Sequence, residues 1–190
     1  MNPKAPAGTR MFRRPLLIAG ATIPLVLLGC APPAAKTDTE KATSTAAADS
    51  IVLERSICYG TCPAYRLRLS RAGEIRFDSR NPGEEGRTAV DTVTATTLPT
   101  LVSRARSIGF FDLPPKIQGD SVLCPTTRTD APTVVVTIFT KDETRPVQDY
   151  HGCVNVEHKV APQLERLRAF EIEIDSVLRS SRWVRPANRR

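Results

Sequence analysis

A chain of 190 residues has room for one ordinary domain and, once targeting and spacer segments are set aside, none for a second. The formal charge of +7 invites a nucleic-acid reading, but Lys4, Arg10, Arg13 and Arg14 precede residue 30, and Arg179, Arg182, Arg185, Arg189 and Arg190 crowd the end. The body between them is slightly acidic, and with only 5% aromatic residues it offers neither a phosphate-binding stripe nor rings for bases, which excludes nucleic acid as a partner.

The first element is a targeting segment. Arg13 and Arg14 lead into an apolar run from Pro15 to Leu28, the layout of an export signal. The run is shorter than the ~20 apolar residues a spanning helix needs, and Pro15 and Pro24 oppose a permanent helix. Met1 and Met11 are both available starts. The run ends in Leu27-Leu28-Gly29-Cys30, which resembles the bacterial lipobox. That resemblance implies cleavage before Cys30, diacylglycerol on its sulfur and palmitate on the new amino group. Two or more chains make a stable anchor, since each buried methylene contributes ~0.8 kcal/mol. Residues 31–50 are small, polar and aperiodic, a flexible spacer. Ala31, where an aspartate would retain the protein at the inner membrane, points to the outer membrane facing the periplasm. The expected division is therefore 1–29 signal peptide, 30–50 lipidated cysteine and linker, 51–185 folded domain and 186–190 basic tail.

Within the domain, Ile51–Ser56 reads as a first strand. Residues 65–70 alternate strictly, with Tyr65, Leu67 and Leu69 on one face, and Glu74–Asp78 alternates again after a turn, so the two form a hairpin with one wet face. Arg87–Thr94 is a further strand. A helix begins near Thr97 as N-cap, tolerates Pro99 in its first turn, buries Leu98, Leu101, Val102 and Ala105, and stops at Gly109. Phe110 and Phe111 pack beneath it. Residues 116–132 read as a loop, with Thr126, Thr127, Thr129 and Asp130 pinning it through side-chain bonds to backbone. Thr133–Thr140, rich in β-branched residues, is an interior strand, and Arg145–Tyr150 completes a second hairpin. A last helix, about Ala161 to Arg179, should bury Leu164, Leu167, Phe170, Ile174 and Val177. Grouped strands with two separated helices predict a single α+β domain, an antiparallel sheet of about five or six strands with both helices packed on it.

With Cys30 assigned to lipid, Cys58, Cys62, Cys124 and Cys153 remain, an even set that reads as two disulfides in an exported protein. Three connectivities are open. The tight Cys58-Tyr-Gly-Thr-Cys62 turn, in which Gly60 could supply a positive φ, favours Cys58–Cys62 with Cys124–Cys153.

The run Cys58-Tyr59-Gly60-Thr61-Cys62-Pro63-Ala64-Tyr65 resembles a bacterial family of unknown function often carried on predicted lipoproteins. So do Gly109-Phe110-Phe111, Thr129-Asp130-Ala131-Pro132, and Asp149-Tyr150-His151-Gly152 before a final helix ending near Trp183. The resemblance spans nearly all of 51–184 and implies no catalytic residues.

Sharper readings compete with that one. Cys58 and Cys62 could be a redox pair, although thioredoxin-type chemistry uses two intervening residues at a helix start. The four cysteines with His151 and His158 could hold zinc, but only one close-spaced pair exists. Asp149, His151 and Ser121 could form a hydrolase triad, but no Gly-x-Ser-x-Gly elbow is present. The arginines around Trp183 could touch an anionic surface, or be a solvated end with the ring packed on the core. The expectation is a lipid-anchored, non-enzymatic envelope module with no metal or cofactor, binding an envelope protein or small ligand; the alternative is a thiol–disulfide protein using Cys58 and Cys62.

Overall fold

A computed structural model of the chain describes residues 47–157 and 159–185. The signal segment, Cys30, nearly all of the linker, His158 and the 186–190 tail lie outside the described residues.

Eight strands and two helices follow one another in the chain: β1 (Ala48–Arg55), β2 (Tyr65–Ser70), β3 (Glu74–Ser79), β4 (Thr88–Thr92), α1 (Thr97–Ser107), β5 (Thr126–Thr127), β6 (Thr133–Thr140), β7 (Thr144–Tyr150), β8 (Cys153–Val154) and α2 (Pro162–Val177). Six strands form one sheet in the order β4-β3-β2-β1-β6-β7, with every pairing antiparallel. The fold is a single α+β domain. β6 lies between β1 and β7, which suits its β-branched run, while Pro146 sits in edge strand β7, where a missing N–H is tolerated.

Alternation sets which face is buried. On the inner face Ile51 stands opposite Leu69 and Ile138, and Leu53 opposite Leu67 and Val136. These residues join Ile75, Phe77, the inward side chains of α1 and the α2 stripe in one cluster. Phe110 is fully buried, edge-on to both Phe111 and Phe170. Trp183 packs on Phe77 with ring centroids 5.7 Å apart, so the last aromatic does close the core, at the β3 end of the sheet.

Several local expectations need correction. β1 begins at Ala48, inside the predicted linker, because Ala48 and Ser50 pair with Thr140 and Phe139 of β6. Thr97 is no N-cap: it lies in the helix, Thr96 before it has a helical backbone, and the Thr94 hydroxyl bonds those of Thr96 and Thr97 at 3.0 and 3.1 Å. The α2 stripe continues to Leu178, while Val177 is 38% exposed, since spacings of three and four from Leu164 lead through 167, 171 and 174 to 178. The 116–132 segment is not all loop: Thr126 and Thr127 pair with Val154 and Cys153 in a two-stranded sheet.

Candidate functional site

The inner face changes character at one end of the sheet. Register places Tyr65 of β2 opposite Arg55 of β1, Arg55 opposite Val134 of β6, and Val134 opposite Asp149 of β7. Three polar side chains thus lie in one row across four strands, pointing at α2. The helix meets them with Arg168, Glu171 and Asp175. From residue 168 to residue 175 α2 advances ~10 Å, and the two strand spacings from β7 to β1 are also ~10 Å. The two rows are therefore commensurate.

Each pairing is specific. Arg168 donates from Nε and Nη2 to both oxygens of Asp149, at 2.7 and 3.2 Å, and from Nη2 to the Tyr150 carbonyl at 3.3 Å. Arg55 Nε donates to Asp175 Oδ2 at 2.8 Å, and the Tyr65 hydroxyl donates to Oδ1 at 2.6 Å. Between these two pairs His151 Nε2 lies 2.8 Å from Glu171 Oε2 and 3.6 Å from Asp149 Oδ2. Asp149 and Glu171 are buried, and His151 is about a quarter exposed.

The electrostatics follow from burial. Burial pushes the Glu171 carboxyl above its ordinary range; His151 opposes this, and the neighbouring Asp149 charge adds to it. Burial also raises the Tyr65 phenol, and Asp175 beside it raises it further. Burial opposes the Arg55 charge, but Asp175, Tyr65 and Glu171 together overcome it and hold the guanidinium firmly protonated.

Asp149, His151 and Glu171 bring ligand-type atoms within 4.8 Å of one another, a spacing a metal could use. Arg168 engages both oxygens of Asp149, which makes the cluster as it stands an ion-pair network. The hydrolase reading finds no support, because His151 Nε2 is spent on Glu171 and Ser121 lies exposed in the 120–124 turn. Of the residues in this network only Asp149 and His151 stand out in the sequence as candidates. A signal for Glu171 was present: a carboxylate in the middle of an apolar helical stripe, where a buried polar residue is the informative one.

The cysteines lie near the same end. Cys58 is bonded to Cys62, with Cα atoms 5.5 Å apart, and Cys124 to Cys153, with Cα atoms 4.8 Å apart. Closed in this way, none is free to ligate zinc as thiolate. Cys124 and Cys153 are buried, whereas Cys58 and Cys62 are half-buried. Gly60 does not take a positive φ. Its N–H donates to the Cys58 carbonyl at 2.8 Å, a three-residue γ-type bend that turns the chain at Tyr59 and leaves Gly60 unstrained. Tyr59 is 87% exposed at that bend and Ile57 51%. Beside them runs an open groove of about 570 Å³, whose lining includes Glu54, Arg55, Tyr65, Arg80 and Pro82. Arg55 and Tyr65 therefore belong both to the groove and to the buried network.

Fold and site together define a disulfide-stapled α+β domain, with a buried ion-pair network under its last helix and a clamped, exposed turn beside a groove. The family model for a domain of unknown function (DUF6438) matches residues 49–174, and the chain belongs to that family. No curated protein matches the chain.

Proposed function

We propose that this chain is a lipid-anchored protein of the bacterial cell envelope, acting through its domain as a module that binds an envelope protein or small ligand and catalyses no reaction. The observation that carries the binding reading is the clamped turn: a disulfide closes Cys58 to Cys62 with Tyr59 exposed between them, and the exposed Ile57 next to it lines a 570 Å³ groove, a size typical of ligand sites. The carboxylates of the network under α2 are each held by an internal partner, Asp149 by Arg168, Asp175 by Arg55 and Tyr65, and Glu171 by His151. Such pairing suits a rigid scaffold. Support for the anchor comes from the Leu27-Leu28-Gly29-Cys30 sequence.

The anchor is tested by mass spectrometry of the first peptide of the mature protein and by fractionation. Acyl chains on Cys30, with release from membranes in Cys30→Ser, are expected; an unmodified Cys30 overturns it. For the module, Tyr59→Ala combined with Arg80→Ala should abolish its envelope phenotype or crosslinks while leaving the fold intact, and an unchanged phenotype sinks the proposal.

A second reading, thiol–disulfide exchange at Cys58 and Cys62, is favoured by the half-exposed position of that bond against the buried Cys124–Cys153. Disulfide mapping against a graded thiol buffer separates the two. Structural bridges resist reduction down to about −300 mV, so a Cys58–Cys62 bond that opens at milder potential, while the other holds, makes the turn a redox site.

A further inference from the structure

The polar row under α2 carries an unbalanced charge. Arg55 and Arg168 supply two cations, while Asp149, Asp175 and Glu171 supply three carboxylates. Tyr65 faces the same row as a neutral phenol donating to Asp175. These are the titratable and charged groups that β1, β2, β7 and α2 bring to the cluster, and the remaining member is His151. With a neutral imidazole and an ionised Glu171 the cluster keeps one negative charge in a place water hardly reaches. One proton shared by His151 and Glu171 removes it.

We propose that His151 and Glu171 form a proton-dependent clasp, holding the corner between β7 and β8 to the middle of α2 while they share a proton and loosening it when the proton leaves. The geometry carries this. His151 opens the turn that leads to Cys153, and its N–H donates to the Pro132 carbonyl at 2.9 Å. Its ring crosses to a glutamate 1% exposed, beside an aspartate 0% exposed. When the proton leaves, two carboxylates face each other across the ring; Arg168 is bonded to Asp149, and Arg55, bonded to Asp175, reaches Glu171 only through its charge. The clasp holds that proton on the Glu171 carboxyl, whose burial favours the neutral form, facing His151 Nε2.

The sign follows from linkage. Glu171 is raised by burial in the folded state, so its carboxyl binds more protons folded than unfolded. Stability is fully present below the unfolded glutamate value, about 4.3, and is lost as pH rises through the folded value.

The test uses the full chain with its disulfides intact, unfolded in urea from pH 4 to pH 9, beside Glu171→Gln. Relative to the variant, the folding constant of the wild type should fall as pH rises, by up to tenfold per pH unit, the limit for one proton. Two curves that run parallel overturn the proposal. Should the variant fail to fold, carboxyl-carbon NMR of the wild type decides the matter, with Glu171 assigned through its backbone. A Glu171 carboxyl that titrates above the ordinary glutamate range supports the clasp, and one that ionises at or below that range overturns it.

Discussion

Replacing Arg168 by methionine tests whether the row under α2 is an integrated network or incidental surface pairing. Methionine keeps the unbranched stem but lacks the guanidinium, leaving Asp149 with both oxygens stripped of their Arg168 donors. Asp149 is 0% exposed and the Arg168 side chain 16%, so water can replace the lost donors only in part. Two hydrogen bonds to a charged group at ~1.5–3 kcal/mol each and the general cost of breaking a buried pair, ~3–5 kcal/mol, agree. Arg168→Met should therefore destabilise the domain by ~3–5 kcal/mol in urea unfolding of the disulfide-intact chain at pH 7, with an unchanged slope in denaturant. Adding Asp149→Asn removes the stranded charge, and the double variant should recover more than half of the loss. An exposed pair is worth ~0–1 kcal/mol. A single-variant loss under ~1 kcal/mol would thus refute the claim that this aspartate is held, buried and ionised, by Arg168.

Other outcomes follow from the same structure. Phe170→Ala opens a hole between α2 and Phe110, whose ring stands 6.2 Å away, and should cost ~3–5 kcal/mol by the same unfolding assay. Replacing Cys124 and Cys153 together by alanine frees a loop with a sequence separation of 29 and should cost ~3.5 kcal/mol on the loop-entropy account, against ~2 kcal/mol for the Cys58–Cys62 pair; equal losses would count against that account here. The Tyr65 phenol, raised by burial and by Asp175, should stay protonated while an ordinary tyrosine ionises near pH 10. Absorbance titration should show one of the three tyrosines ionising only as the domain unfolds, and Tyr65→Phe should remove that component. The sign is the same as for Glu171: the stabilisation is present below the unfolded value and disappears as pH rises through the folded one.

How far the sequence could be read depended on how local each signal was. The two-residue alternation at Tyr65–Ser70 and Glu74–Asp78, and the three-and-four spacing of Leu164, Leu167 and Ile174, are properties of a strand or helix by itself. They were legible, and with them the α+β class, because such periods need only one buried face. Local backbone geometry was less legible. Gly60 and Thr97 look like a positive-φ turn residue and an N-cap, yet a bend at Tyr59 and hydroxyl bonds among Thr94, Thr96 and Thr97 meet those needs in another way.

Composition alone pointed to disulfides, since four cysteines remain once Cys30 is set aside. The close spacing of Cys58 and Cys62 favours the observed pairing, but what brings Cys124 to Cys153 is β5 lying beside β8, a contact made in space. The candidate site is the extreme case. Arg55, Tyr65, Asp149, Arg168, Glu171 and Asp175 come from four elements up to 120 residues apart, and nothing in the chain says that they meet. Only the strand register and the line of α2 across it turn them inward together, because a charge can be buried only where another element delivers its partner.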